Sequence, residues 1–242
     1  MKMVRAAAVA ALGMAAAIWW TGGRRTSAAE APAAAAAAPA TQGYVLPKPD
    51  ADGWISLFNG KDLDPWYGDT TIFVAEEGEI VGRSKTGLKR NEFLKSRFEV
   101  GDFRLVLQMK LVPNNANSGV QFRSQPFKGY EMKGYQADAG AGWWGKVYEE
   151  SARGLLSKPD AEKWVNKEEW NTYEIVAVGS KVRTAINGHV CTDLDDPKGD
   201  KRGIFALQVH SGGPTEARWK NLKIQLEPKD ARLTTVEGDA KP

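Results

Sequence analysis

A single cysteine in 242 residues, Cys191, has no partner for an intramolecular disulfide, so the fold relies on its own core and not on the staples of small secreted scaffolds. Histidine is almost as scarce, with only His189 and His210. No set of His, Cys, Asp and Glu has zinc-type spacing, no glycine-rich loop opens a helix as a phosphate cradle would, and no serine lies in a nucleophile elbow. Helical periodicity is sparse too, which turns attention to strands.

The apparent basic excess of +3 comes from the first residues of the chain. Taking Lys2, Arg5, Arg24 and Arg25 from the 33 Lys and Arg leaves 29 against 30 Asp and Glu. With no interleaved run of basic and aromatic residues in the middle, nucleic acid is excluded as an expected partner.

Residues 1–29 carry Lys2 and Arg5, an uncharged run from Ala6 to Trp20, and small residues ending at Ala29, the pattern of a secretory signal cleaved after Ala29. That run is shorter than the ~20 apolar residues that span a bilayer. The Trp19-Trp20 and Arg24-Arg25 pairs would suit an uncleaved anchor, and only in that case is a membrane partner expected. The expected location is therefore exported, periplasmic or secreted. Residues 30–43, with six alanines between Pro32 and Pro39, read as an Ala/Pro-rich flexible linker. The folded domain is expected over 44–228, about 185 residues and enough for one sizeable core. Residues 229–242 read as a polar, frayed C-terminal tail.

Within the domain, alternation of period two recurs. Phe103, Leu105, Leu107, Met109 and Leu111 fall on one face, with Arg104, Gln108 and Lys110 on the other. Phe205, Leu207 and Val209 repeat the pattern, as do Leu222, Ile224 and Leu226. So do Tyr173, Ile175 and Ala177 before a Gly179-Ser180 turn that leads into 182–186. Asn187-Gly188 is a further hairpin turn, because both residues tolerate positive φ. One short helix is expected around Pro159 to Val165. These features predict an all-β, two-sheet antiparallel sandwich with a short helix and long loops, an up-and-down barrel being the alternative.

Several segments resemble the 3-keto-disaccharide hydrolase family, whose fold is the concanavalin A-like jelly roll of lectins and glucanases. They are Gly53-Trp54-Ile55-Ser56-Leu57-Phe58-Asn59-Gly60-Lys61-Asp62-Leu63 with Trp66 beyond it, Asn117-Ser118-Gly119-Val120-Gln121-Phe122-Arg123, Gly129-Tyr130-Glu131, and Gln136-Ala137-Asp138. Trp170-Asn171, residues 203–210 and residues 217–222 continue the resemblance in order. Lys220 and Lys133 stand where many members carry Arg and Gln. The resemblance implies a carbohydrate partner, specifically a 3-keto-glycoside.

Candidate site residues follow from strand parity read beside that resemblance. With Val120 and Phe122 facing inward, Gly119, Gln121 and Arg123 face outward, where Gly119 would leave room for a ligand. Parity alone reads Gln121 and Arg123 as the solvated face of a sheet; the resemblance makes them sugar contacts. Glu131, Gln136 and Asp138 come from the next strand. The Gly- and Trp-rich loop at 140–144 offers Trp143 or Trp144 as a stacking platform, with core packing as the other reading. Tyr148, Glu150 and Arg153 follow it. Ala206, Gln208 and His210 share the outward parity, and His189 reads as surface.

A ketone at C3 acidifies the hydrogen on C2, so a base can remove it and the C1 oxygen can leave by elimination, with water able to add back. The resemblance assigns proton transfer to Asp138, Glu150 or His210 and the developing enolate to Arg123 with Gln208. Tyr148 or Glu131 would orient the sugar. Glu131 with Glu150 is the alternative of a glycosidase carboxyl pair. A noncatalytic carbohydrate-binding module would use the same surface without proton transfer. No cofactor is evident; a divalent cation held by Asp193, Asp195 and Asp196 is the one metal reading, against a solvated turn.

Overall fold

The computed structural model describes residues 44–237, so the signal and linker readings over 1–43 and the end of the tail over 238–242 lie outside the described residues. Along them run β1 (Ile55–Ser56), β2 (Trp66–Tyr67), β3 (Phe73–Glu76), β4 (Glu79–Ser84), β5 (Glu92–Val100), β6 (Phe103–Val112), β7 (Asn117–Phe127) and β8 (Glu131–Gly140). β9 (Val147–Glu150), β10 (Gly154–Leu155), β11 (Asn171–Val178), β12 (Lys181–Ile186), β13 (His189–Asp195), β14 (Gly203–Val209) and β15 (Thr215–Leu226) complete the set. The helix expected over 159–165 is a single 3-10 turn at Glu162–Trp164.

The strands form two antiparallel sheets. The first has the order β13-β12-β11-β6-β15-β4-β3, with β1 paired to β15; the second has the order β10-β9-β8-β7-β14-β5-β2. β5 to β6, β6 to β7 and β14 to β15 all cross between sheets, the topology of a jelly-roll sandwich. The alternating residues meet in the space between. Phe103 of the first sheet sits edge-on to Phe205 of the second, with ring centroids 4.8 Å apart at 83°. Phe122 stacks on Tyr135 at 5.2 Å. Fully burying a side chain of this kind contributes about 1.5–3 kcal/mol, and the interleaving of both sheets' residues is what fixes their facing positions.

Two departures from regular pairing shape the second sheet. β7 and β8 slip register between Phe122 and Gln125, and β14 slips against both neighbours between Ile204 and Ala206. Arg123 takes φ 46° in the first slip, and Gly134 opposite takes φ 135°. A Cβ at Gly134 would lie 2.5 Å from Ser124 Oγ, so only glycine permits the strands to come this close.

The described part of the tail is not frayed. Leu233 is buried with Val176 and Ala185, and Arg104 Nε donates to Arg232 O at 3.0 Å. Val176 is outward by parity on β11, so that face carries apolar surface which water cannot satisfy, and the chain returns to cover it.

Candidate active site

On the outer face of the second sheet, register sets Gln121 of β7 beside Gln136 of β8, and Gln136 beside Tyr148 of β9. One step along, Gly119 lies between Asp138 and Gln208 of β14. Parity alone brings these four strands' polar residues together. A cavity of about 170 Å³ opens there, lined by Asn117, Gln136, Asp138, Trp143, Tyr148, Glu150 and His210.

Beneath it runs a directed relay of amides. Ser124 Oγ lies 2.7 Å from Gln121 Oε1, Gln121 Nε2 donates to Gln136 Oε1 at 2.9 Å, and Gln136 Nε2 donates to Asp138 Oδ1 at 2.6 Å and to Gln208 Oε1 at 3.2 Å. The relay leaves one acceptor and one donor over. Asp138 Oδ2 and Gln208 Nε2 are buried without a hydrogen-bond partner. Leaving such a group unmade costs about 1–3 kcal/mol, so a fold keeps it where something else completes it.

Asp138 is 3% exposed, and burial pushes its carboxyl up to about 7, with the charge of Glu150 adding to the rise and the Gln136 bond opposing it. Near neutrality it therefore exists in both protonation states, the condition for a proton-transfer group. Its backbone is fixed: Asp138 N–H donates to Lys146 O at 3.0 Å, and Tyr173 O–H donates to Asp138 O at 3.0 Å. Glu150 is also raised, first by burial and then by the charge of Glu131. His210 Nδ1 lies 2.7 Å from Ser211 O. A carbonyl only accepts, so Nδ1 carries the proton and Nε2 is left as the exchanging nitrogen.

Trp143 is the exposed member of the tryptophan pair, at 37%, with Lys146 Nζ 5.0 Å from its ring centroid and Tyr148 edge-on at 6.4 Å. Trp144 is a correction: it is 2% exposed, packs in the core and donates Nε1–H to Asn114 Oδ1 at 2.9 Å.

Arg123 is the larger correction. The slip after Phe122 takes it out of alternation, and its fully buried guanidinium donates to Gly101 O at 3.1 Å, Gly179 O at 2.9 Å and Asp102 Oδ1 at 2.7 Å. It ties the β5–β6 turn and the β11–β12 turn to β7 and does not line the cavity. Arg153 does not line it either; it pairs with Glu149 and Asp196, beside Tyr135, whose O–H donates to Asp196. The space at Gly119 is filled by Gln136, whose Cγ would stand 2.8 Å from a Cβ there, so that glycine serves the relay. Gln121 is wholly buried beneath the cavity as a link in it. Glu131 sits on the far half of the β7–β8 hairpin, which reaches toward β5. There Asn91 Nδ2 lies 3.4 Å from it, and Met132 packs on Phe93, Ile204 and Ala206.

Asn117 lines the cavity and was not singled out from the sequence, although it shares the parity of Gly119 and Gln121. The three aspartates weighed as a divalent-cation site against a solvated turn are each engaged with other side chains: Asp193 with Arg183 at 3.1 Å, Asp195 with Ser180 and Lys181, Asp196 with Arg153. Among the described residues no group of three or more His, Cys, Asp and Glu is arranged to hold a metal ion.

Comparison with known proteins adds the following. A family model described as the 3-keto-alpha-glucoside-1,2-lyase-like domain matches residues 53–225. Two crystal structures of candidate glycosyl hydrolases from Parabacteroides distasonis superpose with a TM-score of 0.57 each. The first is 19% identical over 74% of this chain and 95% of its own; the second is 20% identical over 72% and 98%. At that identity the likeness is one of fold. No curated protein sequence matches the chain significantly.

Proposed function

Because the chain belongs to the 3-keto-alpha-glucoside-1,2-lyase-like domain family, we propose that it is a carbohydrate-active enzyme that cleaves 3-keto-glycosides by elimination across C1 and C2. The observation that carries the reading is Asp138, a buried carboxyl raised to about 7 with one oxygen unpartnered at the cavity.

In this reading the sugar ring lies against Trp143 and Tyr148, with an aromatic face under its apolar C–H face. Asp138 takes the C2 proton; the C2–H electron pair forms the C1–C2 double bond as the enolate at the C3 oxygen forms and collapses, and the C1–O bond breaks. The Asn117 amide on the cavity wall, with Gln208 Nε2 left over by the relay beneath it, supplies hydrogen bonds to the enolate oxygen, a part the resemblance gave to Arg123 with Gln208. His210 enters as the imidazolium, with Nδ1–H held by Ser211 O, and delivers its Nε2 proton to the departing oxygen, so the protons balance with one gained by Asp138 and one lost from the imidazolium. Glu150 lies near enough for a charge on His210 to favour its carboxylate. Water adding back to the enone would give net hydrolysis. Export through the segment at 1–29 is part of the same proposal and is checked by sequencing the amino terminus of the protein recovered from cells.

The test is to incubate the full chain with 3-keto-glucosides and with the matching unoxidised glycosides, following leaving-group release and the ultraviolet absorbance of an enone. Release from the keto substrates alone is expected. Release from plain glycosides would replace this reading by a carboxyl-pair glycosidase, and saturable binding with no release from either would make the domain a binding module.

A further inference from the structure

His210 stands one residue past the end of its strand. β14 pairs with its neighbours as far as Val209, which lies opposite Glu92 of β5 and Ser118 of β7, so the next rung would set His210 between Asn91 and Asn117. Asn117 lines the cavity. Asn91 engages the backbone beyond His210 instead, with Ser211 N–H donating to its Oδ1 at 2.9 Å.

We propose that Asn91 is a positioning residue for His210: acting through Ser211, it keeps a proton on Nδ1 of the imidazole and leaves Nε2 as the nitrogen that exchanges. The tautomer follows from the geometry alone. The departing oxygen as the destination of the Nε2 proton rests on the elimination reading above. Three observations carry the inference.

The first is that both peptides flanking Ser211 are held. The 210–211 peptide gives its N–H to Asn91 Oδ1, and the 211–212 peptide gives its N–H to Leu88 O at 2.8 Å. In a trans peptide the C=O points away from the N–H, so the Leu88 bond turns the Ser211 carbonyl to the other side, where it stands 2.7 Å from His210 Nδ1. Which ring nitrogen of a histidine carries the proton is set by such a bond.

The second is that backbone pairing cannot do this work. Between the rung at Glu92 and Val209 and the isolated bridge at Leu88 and Gly212, Lys89, Arg90 and Asn91 lie on one side and only His210 and Ser211 on the other. The unequal lengths leave Ser211 N–H without an opposing carbonyl, and the Asn91 side chain supplies the oxygen that the ladder lacks. The turns cannot drift apart to relieve the mismatch: a Cβ at Gly87 would stand 2.2 Å from Gly212 O, and Leu88 N–H donates to the same oxygen at 2.9 Å.

The third is that the Asn91 amide fits only one way round. Ser211 N–H can only donate, which requires Oδ1 beside it, and Nδ2 then lies 3.4 Å from Glu131 Oε2, an acceptor when ionised. Leucine would occupy the same volume and meet neither demand.

The chain has two histidines, so nitrogen NMR of the full chain reads both imidazoles, and His210 is identified by the signals that His210→Gln removes. At pH 9, above the ~6.5 of an unperturbed imidazole, wild-type His210 is expected to carry its proton on Nδ1. Asn91→Leu is expected to move that proton to Nε2 in a large fraction of molecules. Asn91→Asp, which keeps an acceptor oxygen for Ser211 N–H, is expected to leave it on Nδ1. Turnover of a 3-keto-glucoside should follow the tautomer, with kcat about tenfold lower in Asn91→Leu at unchanged KM, the order that one net hydrogen bond supplies, and most of it recovered in Asn91→Asp. A proton on Nε2 in the wild type would overturn the positioning role without need of any variant. So would a proton that stays on Nδ1 in Asn91→Leu while only Tm falls, or one that leaves Nδ1 in Asn91→Asp as well. The expected tautomers in all three chains, with no turnover by the wild type, would overturn the elimination reading and leave Asn91 as the residue that orients His210.

Discussion

Two buried carboxylates, one on each sheet, are treated in opposite ways. Glu174 on the outward face of β11 is fully buried, yet Thr234 and Thr235 each give it a backbone N–H and a hydroxyl, at 2.6 to 2.9 Å, and Arg104 Nε stands 3.7 Å away. Asp138 on the second sheet is almost as buried and receives one side-chain hydrogen bond, from Gln136, with Oδ2 left over. The chain returns its last described residues across the first sheet to complete Glu174, whereas none of the described residues completes Asp138 Oδ2. The first acid is part of the architecture; the second keeps one oxygen without a partner beside the cavity.

Exchanging the roles of the two acids is the sharpest way to break this contrast. Asp138→Asn is expected to lower turnover of a 3-keto-glucoside by about 10²–10⁴-fold, the usual worth of a positioned general base, with the chain still folded. Glu174→Ala strands the four donors of Thr234 and Thr235 while Arg104 keeps Gln225 and Asp230; it is expected to cost about 1–3 kcal/mol in denaturant unfolding while leaving kcat of the folded fraction alone. If Glu174→Ala abolished turnover without loss of stability, the division between the two faces would fail.

The same contrast has a pH signature. Asp138 has a folded-state pKa of about 7, above the ~4 of an unfolded aspartate, so between those values the native state holds the extra proton. Stability therefore falls as pH rises through that window and levels off above it. Asp138→Asn is expected to raise Tm over the wild type at pH 8, by the equivalent of up to about 4 kcal/mol, and by much less at pH 5. A gain that is flat with pH would mean the carboxyl is not raised.

Smaller effects refine the boundary of the site. Arg123→Met should lower Tm by breaking three loop contacts and leave kcat/KM per folded molecule within about twofold, since the guanidinium lies off the cavity. Trp143→Ala should raise KM by about tenfold, an energy typical of one aromatic contact, with kcat little changed. A fall in kcat with KM unchanged would remove Trp143 as a platform.

Much of the fold was legible because the core obeys alternation. Phe103 to Leu111 and Phe205 to Val209 lie inward as their parity predicts, and Asn187 with Gly188 turns at φ 49° and 82°. The same parity brought Gln136, Asp138, Glu150 and Gln208 to one face, and it would have included Asn117. Arg123 escaped because a one-residue slip inverts every direction assigned beyond it, and the slip depends on how closely β7 and β8 approach at Gly134. Trp143 and Trp144 are neighbours on one turn, and the partners of the buried one, Asn114 and Tyr173, lie about thirty residues away on either side. Leu233 was unreadable for a related reason: its partner surface is the outward face of β11, which parity alone leaves to solvent.

The central claim, that Asp138 removes the proton at C2, is tested most directly by replacing that hydrogen with deuterium in a 3-keto-glucoside and comparing rates of leaving-group release. The account predicts a several-fold slower release from the deuterated substrate in the wild type, together with loss of release in Asp138→Asn. Equal rates for both isotopes, with release surviving in Asp138→Asn, would contradict it.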